Sequence, residues 1–318
     1  MLLLIVKFIF GILAVIEGAN WLTEGASDIA RKLKVSSMII GLTVVAFGTS
    51  MPELVVSSIA SIQGNSDMAI GNVVGSNIFN TLAIIGCTAL ICPVICKRNS
   101  IVYEMPINIF ASVLFMLFVV GFSFGGTTIN RIEGAILLLC FGGFLAYTLL
   151  TAKKERNNVE SESQTEDFSM LKASLLVIGG LACLIIGGEF LVDGASGIAT
   201  KLGVSDSVVA LTIVAAGTSF PELATSVVAA KKGDIDMALG NVVGSNIFNI
   251  LLILGVSSII SPLQIGDITS VDQALLLGSC VVLWIFASLG KKKVISRTEG
   301  GFLVICMIAY YVWLVYNS

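Results

Sequence analysis

Two short strings decide the fold of this chain: GTSMPEL at residues 48–54 and GTSFPEL at residues 217–223. Each is followed by the same ten residues, GNVVGSNIFN, at residues 71–80 and again at residues 240–249. A string of this length and polarity, repeated identically, indicates that one structural unit occurs twice.

The similarity extends well beyond the two strings. Residues 16–86 align with residues 185–255 at a constant offset of 169, without a gap. Between residues 41–86 and residues 210–255, 29 of 46 positions are identical, and the matches include Gly, Pro, Asn, Thr and Glu. Shared hydrophobicity does not explain such matches, so the sequence contains an internal duplication.

The composition places the duplicated unit in a membrane. Of 318 residues, 56% are hydrophobic and 12% are charged, which is more apolar surface than a soluble domain buries. Apolar runs of about 20 residues, the length that crosses a bilayer, recur along the chain. They predict ten helices, near residues 4–26, 38–62, 68–92, 101–122, 129–150, 172–196, 207–230, 237–260, 271–289 and 299–316.

Five helices in each half is an odd number, so the second half enters the membrane upside down relative to the first. We therefore expect an all-α integral membrane protein with two inverted five-helix repeats, the plan of many secondary transporters. The repeats would span residues 1–151 and 171–318, joined by a polar cytoplasmic linker at residues 152–170. A duplicated scaffold without transport is the alternative.

The positive charges predict the orientation, because Lys and Arg in short loops favour the cytoplasmic side. One side has Arg131 and Lys201. The other side has Arg31, Lys32, Lys34, Lys97, Arg98, Lys153, Lys154, Arg156, Lys231, Lys232, Lys291, Lys292, Lys293 and Arg297. This basic side should be cytoplasmic, with both termini outside the inner (cytoplasmic) membrane. A net charge of -3 gives no reason to expect a nucleic-acid partner.

The chain contains no histidine, the usual ligand of zinc, copper and nickel. Its seven cysteines are scattered through apolar runs and are interpreted as packing residues. A cation site in this protein must therefore be built from oxygen atoms.

Glu53 and Glu222 are the natural centre of such a site, because both lie deep in apolar helices without a basic residue at similar depth. Burying the two charges costs about 5 to 7 kcal/mol in total. Thr49 and Thr218 precede the two acids by one helical turn. Pro52 lies beside Glu53 and Pro221 lies beside Glu222, and each proline removes one backbone N–H donor.

Two such helices that face each other would form an oxygen cage suited to calcium or sodium, and less suited to magnesium. Two buried acids that stay protonated and serve only packing are the alternative.

The second string adds small and polar residues. Gly71 and Gly75, like Gly240 and Gly244, have the spacing that lets helices approach closely. Further side-chain oxygens lie one turn apart in each copy, and they belong to Ser76, Asn80, Ser245 and Asn249. Ion binding or helix-to-helix hydrogen bonding would both explain the asparagines.

GTSxPEL followed by GNVVGSNIFN in both halves resembles the alpha repeats of the calcium/cation antiporter family, the prokaryotic sodium/calcium exchangers. The resemblance implies that Glu53 and Glu222 are the central calcium ligands and that Asn80 supplies an amide. It implies sodium ligands in the hydroxyls of Thr49, Ser50, Ser76, Thr218, Ser219 and Ser245 and the carbonyls of Ala46 and Ala215. Asn249 departs from an archaeal pattern that has aspartate, which leaves the ion stoichiometry open.

The resemblance also assigns the first and sixth helices to a sliding gate. Their acids are Glu17, Glu24, Glu189 and Asp193, and plain helix-end acids at the water boundary explain these residues equally well. Asp67 and Asp236 are expected to interact with helix N-termini.

The function expected from the sequence is antiport of calcium for sodium, by alternating access at one shared site. A proton-driven calcium antiporter and a passive cation channel remain as alternatives. The chain is expected to be a transporter without enzymatic activity, without a cofactor and without a soluble regulatory domain. Its expected partners are calcium, sodium and the lipid bilayer.

The predicted orientation can be tested by labelling single introduced cysteines with reagents applied from outside. Cysteines near residue 1, residue 64 or residue 318 should react, and cysteines near Lys154 or Lys292 should not. The reverse pattern would show that the basic side faces outward.

Overall fold

The computed structural model describes residues 1–119, 128–158, 169–203, 209, 215–266, 268–289 and 293–317. The helices of the first half are α1 (Leu2–Leu33), α2 (Ser37–Thr49), α3 (Met51–Ile62), α4 (Ser66–Ile91), α5 (Ser100–Val119) and α6 (Arg131–Asn158). A short strand follows α4, β1 (Val94–Ile95), and another precedes α6, β2 (Thr128–Ile129).

The second half has the same order of elements. Its helices are α7 (Met170–Lys201), α8 (Ala215–Gly217), α9 (Phe220–Lys231), α10 (Ile235–Ile260), α11 (Ser270–Leu289) and α12 (Arg297–Asn317). Strand β3 (Leu263–Gln264) follows α10, and β4 (Val294–Ile295) precedes α12. Helices α7 to α12 thus correspond in order to α1 to α6.

Within the described residues, eight helices are long and apolar enough to cross a membrane, and α2 with α3 passes the same test as one bent span. Large apolar side chains on these helices, among them Leu139, Leu175 and Ile305, are exposed, as expected where lipid surrounds a span. The predicted helix at residues 207–230 lies partly outside the described residues. An all-helical membrane protein is confirmed, while the count of ten and the inverted arrangement stay predictions.

Several predicted boundaries differ from the structure. Helices α1 and α7 are each 32 residues long, so both extend beyond the predicted runs at residues 4–26 and 172–196. The first residues of the predicted linker belong to α6, which continues to Asn158. The single predicted helix at residues 38–62 is wrong, because α2 and α3 meet at an angle of 47°.

The two longest helices, α1 and α7, pack against each other through glycines spaced seven residues apart. Those on α1 are Gly11, Gly18 and Gly25, and those on α7 are Gly180, Gly187 and Gly194. A Cβ atom added to Gly18 would lie 2.8 Å from the carbonyl oxygen of Gly180, and one added to Gly180 would lie 2.7 Å from that of Gly18. The backbones of the two helices therefore approach closely.

The motif glycines give the predicted close packing in the second repeat. A Cβ at Gly240 would lie 2.7 Å from the carbonyl oxygen of Met38, and one at Gly244 would lie 2.7 Å from the Cβ of Ala46. For Gly71 and Gly75, the described residues offer no atom within 4 Å. Their repeat-related partner falls at residues 207–215, which lie largely outside the described part of the chain.

Two small antiparallel ladders join the halves, since β1 pairs with β4 and β2 pairs with β3. Near the first ladder, Lys97 forms an ion pair with Asp236, at the start of α10. The Ser36 N–H, between α1 and α2, donates to Glu155 Oε2 of α6 at 2.8 Å.

These contacts gather the connections α1–α2, α4–α5, α9–α10 and α11–α12 and the end of α6 at one end of the molecule. We call it the basic end, because the described residues of the predicted cytoplasmic side, among them Arg31, Lys97 and Lys232, lie there. The opposite end carries the connections α3–α4, α5–α6 and α10–α11.

The glycine packing of α1 on α7 predicts that Gly18→Ala destabilises the protein, because backbone atoms surround the added methyl group. Overpacking of this kind typically costs about 1 to 3 kcal/mol. The loss should be visible as a lower melting temperature of the purified protein in detergent.

Gly143→Ala on α6 is the matched control, since no described atom lies within 4 Å of its added Cβ. The control should melt at the wild-type temperature or slightly above it, because alanine favours helix. Equal melting of the two variants would contradict the close approach of α1 and α7.

Candidate functional site

The site is centred on the bend between α2 and α3 and on its counterpart between α8 and α9. Helices α3 and α9 each begin after a serine with non-helical backbone, Ser50 (φ -83°, ψ 8°) and Ser219 (φ -92°, ψ 3°). Pro52 lies in the first turn of α3, where a missing N–H costs little. Each proline therefore begins a helix and does not interrupt one.

This arrangement places Glu53 and Glu222 in the first turns of α3 and α9, and both side chains are fully buried. The Ser50 hydroxyl donates to Glu222 Oε1 at 3.1 Å, and the Ser219 hydroxyl donates to Glu53 Oε1 at 3.3 Å. These two bonds are related by the 169-residue offset of the repeat. Each carboxylate is thus held by the serine of the other half, and the two acids are brought into one site.

Neither acid has a basic partner among the described residues. The ion pairs found there join Lys7 to Asp193, Arg31 to Asp28 and Lys97 to Asp236. A buried carboxylate without a counter-charge is costly, and hydroxyl donors offset only part of that cost.

Several buried oxygen atoms at the site also lack a hydrogen-bond partner within the described part of the chain. They are Glu53 Oε2, Glu222 Oε2, Asn80 Oδ1, Asn249 Oδ1, Thr218 Oγ1 and Ser245 Oγ. Natural proteins leave few buried polar atoms unsatisfied, so these six atoms need an explanation. All six atoms belong to predicted ion ligands, and a bound cation would satisfy them.

The hydroxyls of Ser76 and Thr49 make bonds to other helices. The Ser76 hydroxyl lies 3.5 Å from Glu53 Oε1, so α4 also contributes to the site. Thr49 Oγ1 donates to Asn241 Oδ1 at 3.1 Å. The straight helix on which the predicted shared face of Thr49 and Glu53 depends is interrupted at Ser50.

The two predicted backbone ligands are the carbonyl oxygens of Ala46 and Ala215. The carbonyl oxygen of Ala46 accepts the Ser50 N–H at 3.0 Å. In the second repeat the Ser219 N–H donates to the carbonyl oxygen of Ala216 at 3.1 Å. This acceptor lies three residues before the serine, whereas Ala46 lies four residues before Ser50, so the two bends are not identical. Ala215 opens α8, and its role as a ligand stays a prediction.

Asparagines that the sequence interpretation did not select hold the site together. Asn72 Nδ2 donates to the Glu53 carbonyl at 3.3 Å and to Ser57 Oγ at 2.9 Å. Asn241 makes the equivalent bonds to Glu222 and Ser226, at 3.3 and 3.0 Å. Their identity in both repeats was the signal that could have identified them.

A second pair of asparagines links the halves below the carboxylates. Asn77 Nδ2 donates to the Asn246 carbonyl at 3.1 Å, and Asn246 Nδ2 donates to Thr81 Oγ1 at 2.9 Å. Asn249 Nδ2 donates to Asn77 Oδ1 at 3.0 Å, which leaves the Asn249 amide oxygen without a partner. Helices α4 and α10 contain π-helical turns at this point, Asn80–Ile84 and Phe248–Ile253, a feature often found at functional sites.

A cavity of about 600 Å³ extends from the site between α3, α7 and α9. Thr218 and Pro221 line its inner part, and Glu189 and Asp193 of α7 line it farther out. Asp193 also pairs with Lys7 of α1 at 3.1 Å. Of the acids whose role the sequence left open, Glu189 and Asp193 therefore border this cavity.

Comparison with known proteins agrees with this geometry. The sequence profile of the family described as "Sodium/calcium exchanger protein" matches residues 3–150 and 172–316. The chain is 38% identical to "Putative antiporter CaxA" of Alkalimonas amylolytica, with all of both chains covered. It is 32% identical to "Sodium/calcium exchanger MaX1" of Methanosarcina acetivorans, with 97% of each chain covered.

A solved structure of the sodium-calcium exchanger NCX_Mj has the same fold. It superposes with a TM-score of 0.80 at 33% identity and covers 99% of this chain and 98% of the other. The family match includes both halves, and it implies transport without an enzymatic reaction. The chain therefore belongs to the sodium/calcium exchanger family and is a multi-pass membrane protein of the cation antiporter class.

Proposed function

We propose that this protein exchanges calcium for sodium across the cytoplasmic membrane by alternating access at one midplane site. The observation that carries the proposal is the group of buried, unpartnered oxygens around two carboxylates that lack a basic partner among the described residues. A cation taken from water would replace its hydration shell with these oxygens, and it would neutralise the acids at the same time.

Calcium fits this set of ligands well. It accepts six to eight oxygens in flexible geometry, and two carboxylates balance its charge. Glu53 and Glu222 would supply the charged oxygens, and the amides of Asn80 and Asn249 would supply neutral ones. Within the described residues, no group of three or more His, Cys, Asp or Glu side chains could hold a metal. The neutral amides and hydroxyls therefore have to complete the coordination.

Sodium would use the neutral oxygens of the same site. It is also a hard cation, and the hydroxyls of Thr49, Ser50, Ser76, Thr218, Ser219 and Ser245 border the carboxylates on both sides. The carbonyls of Ala46 and Ala215 would add to them. Calcium and sodium would repel each other strongly at this short range in a medium of low dielectric constant, so full occupancy by both is unfavourable.

The reciprocal bonds between the two bends support inverted repeats. The bond from Ser50 to Glu222 has a counterpart at the 169-residue offset in the bond from Ser219 to Glu53, which is the pattern expected of a pseudo-two-fold axis through the site. With five spans in each half, such an axis lies in the membrane plane. The basic end would then face the cytoplasm, with both termini outside.

A difference between the two ends supports alternating access. Leu22 and Ala26 of α1 are fully buried, whereas their counterparts on α7, Leu191 and Ala195, are partly exposed. The cavity reaches the site beside α7. Among the described residues, the cavity at the basic end, which Ser27 and Asp234 line, includes no residue of the predicted site. Access to the site from one end favours a transporter over a passive channel.

Charge neutralisation predicts that Glu53→Gln and Glu222→Gln each abolish calcium exchange. One remaining carboxylate would leave half of the calcium charge unbalanced in a low-dielectric site, so calcium exchange should fall to the background of empty liposomes. Calcium uptake into proteoliposomes with an imposed sodium gradient measures this, and proton and potassium gradients in parallel identify the coupling ion.

Glu17→Gln provides the matched control, since it makes the same change at an exposed position on α1. It should retain calcium exchange, because Glu17 supplies no oxygen to the proposed site. Substantial exchange by both site variants, with normal elution in detergent, would contradict the central role of the two carboxylates.

The shared site predicts that sodium and calcium compete at equilibrium, in the absence of any gradient, and that the antagonism is reciprocal. Thr218→Val should weaken sodium binding more than calcium binding, because it removes a neutral oxygen and keeps both carboxylates. Thr49→Val should act in the same direction and also cost the bond to Asn241. Isothermal titration of purified protein gives both affinities.

Thr148→Val is the control for this loss of a hydroxyl, because Thr148 is buried on α6 and bonds to the carbonyl of Phe144. Its ion affinities should match those of the wild type. Calcium affinity that does not change as sodium is raised would rule out a shared site.

A further inference from the structure

Helices α1 and α7 are equivalent elements of the two repeats. Among the described residues, α1 makes hydrogen bonds to the α9–α10 connection that have no counterpart between α7 and the α3–α4 connection. Lys232, directly after α9, donates from Nζ to the Asn20 carbonyl and to Thr23 Oγ1, each at 2.9 Å. The Ser27 hydroxyl donates to Asp234 Oδ2 at 3.2 Å. These contacts bind α1 to the α9–α10 connection, at the basic end.

The 169-residue offset identifies what the same contacts would be at the opposite end. Gln63 replaces Lys232, Asn65 replaces Asp234, and Ser196 replaces Ser27. Asn65 and Asp234 cap their helices in the same way, by accepting the N–H of Met68 and of Met237 at 3.0 and 3.1 Å. The local structures of the two connections therefore match.

The bond to the long helix differs. Ser196 Oγ is buried and has no hydrogen-bond partner among the described residues, whereas Ser27 Oγ has one in Asp234. Glu189 and Val192, the counterparts of Asn20 and Thr23, line the cavity that leads to the site. The cavity is thus open at the place where the second set of contacts is missing.

We infer that Lys232 and Asp234 are positioning residues for transport, which hold α1 against the α9–α10 connection and so keep the basic end closed. In the alternate state this contact breaks, and Asn65 bonds with Ser196 to close the opposite end. The inference rests on the alternating access of the proposed function. It assigns a gating role to four residues that do not contact the ion site.

The contact at the basic end and the proposed contact at the opposite end differ in charge. Lys232 brings a cation. Burial lowers the pKa of its ammonium group, and the carboxylates of Glu24 and Glu17 on α1 oppose that shift. Gln63, at the corresponding position of the first repeat, brings a neutral amide. Hydrogen bonds from an ionised donor are about twice as strong as those between neutral groups. The stronger contact therefore favours the state in which the basic end is closed and the cavity is open.

The test uses Lys232→Gln, which gives the second repeat the residue of the first. Lys231→Gln is the matched control, because it removes the same charge from an exposed side chain one position earlier. Two introduced cysteines report the state: Val56→Cys, which lines the open cavity, and Thr225→Cys, its fully buried counterpart. A polar maleimide labels purified protein in nanodiscs, and mass spectrometry of each peptide gives the rate.

In Lys232→Gln, labelling at residue 56 should slow by about fivefold or more, and labelling at residue 225 should accelerate. A change of this size is typical of coupling between two conformational states. Lys231→Gln should leave both rates unchanged, and Lys232→Arg should restore them. Unchanged rates in Lys232→Gln, or the same change in Lys231→Gln, would overturn the inference.

A second variant keeps the test independent of any folding defect in Lys232→Gln. Gln63→Lys leaves Lys232 in place and adds a cation that would face Glu189 in the alternate state, by the offset of the Lys232 contact with Asn20. It should strengthen closure of the opposite end and also slow labelling at residue 56. Labelling that stays at the wild-type rate in Gln63→Lys would count against the inference. Because labelling needs no ion, transport of a different cation would overturn the proposed function and leave this result standing.

Discussion

The fold depends on one electrostatic constraint: two carboxylates lie in the interior of a membrane protein without a basic partner among the described residues. Such charges are expensive in a low-dielectric medium, and a fixed cation would remove the cost permanently. A fixed cation would also prevent exchange, because it would occupy the place of the transported ion. Hydroxyls and amides avoid this, since they hold the carboxylates without neutralising them. The site therefore stays dependent on an ion that can leave.

The duplication follows from the same constraint. A single bend offers one carboxylate and a few oxygens, whereas calcium needs six to eight ligands. Under the proposed function, two copies that face each other would complete the set, and the reciprocal bonds of Ser50 and Ser219 hold the two bends together. The asparagines behind each bend hold the acid's own carbonyl, so the carboxylates are positioned from both sides. Loosening either copy would leave the other with a half-filled site.

The sequence was sufficient to predict the membrane class and to select Glu53 and Glu222, which the structure brings together, since polar residues repeated within apolar helices are conspicuous. The ion ligands themselves stay predictions. The sequence predicted a continuous helix where α2 and α3 bend, because a proline in an apolar run looks the same whether it starts a helix or interrupts one. It also missed the glycines of α1 and α7. Their seven-residue spacing becomes meaningful only when the two helices are known to be partners, and that pairing depends on tertiary structure.

What no repeat pattern can predict is which of two related arrangements the chain adopts. The halves share most of their central residues, yet Leu22 is fully buried while Leu191 is partly exposed. With perfectly identical halves the two states would have equal energy, and any preference would come from the ions and the membrane potential. Substitutions away from the site, such as a lysine in one copy and a glutamine in the other, can set that preference without altering the ligands. Divergence between the copies at their ends, combined with identity at the centre, lets the energy difference between states change while ion selectivity is conserved.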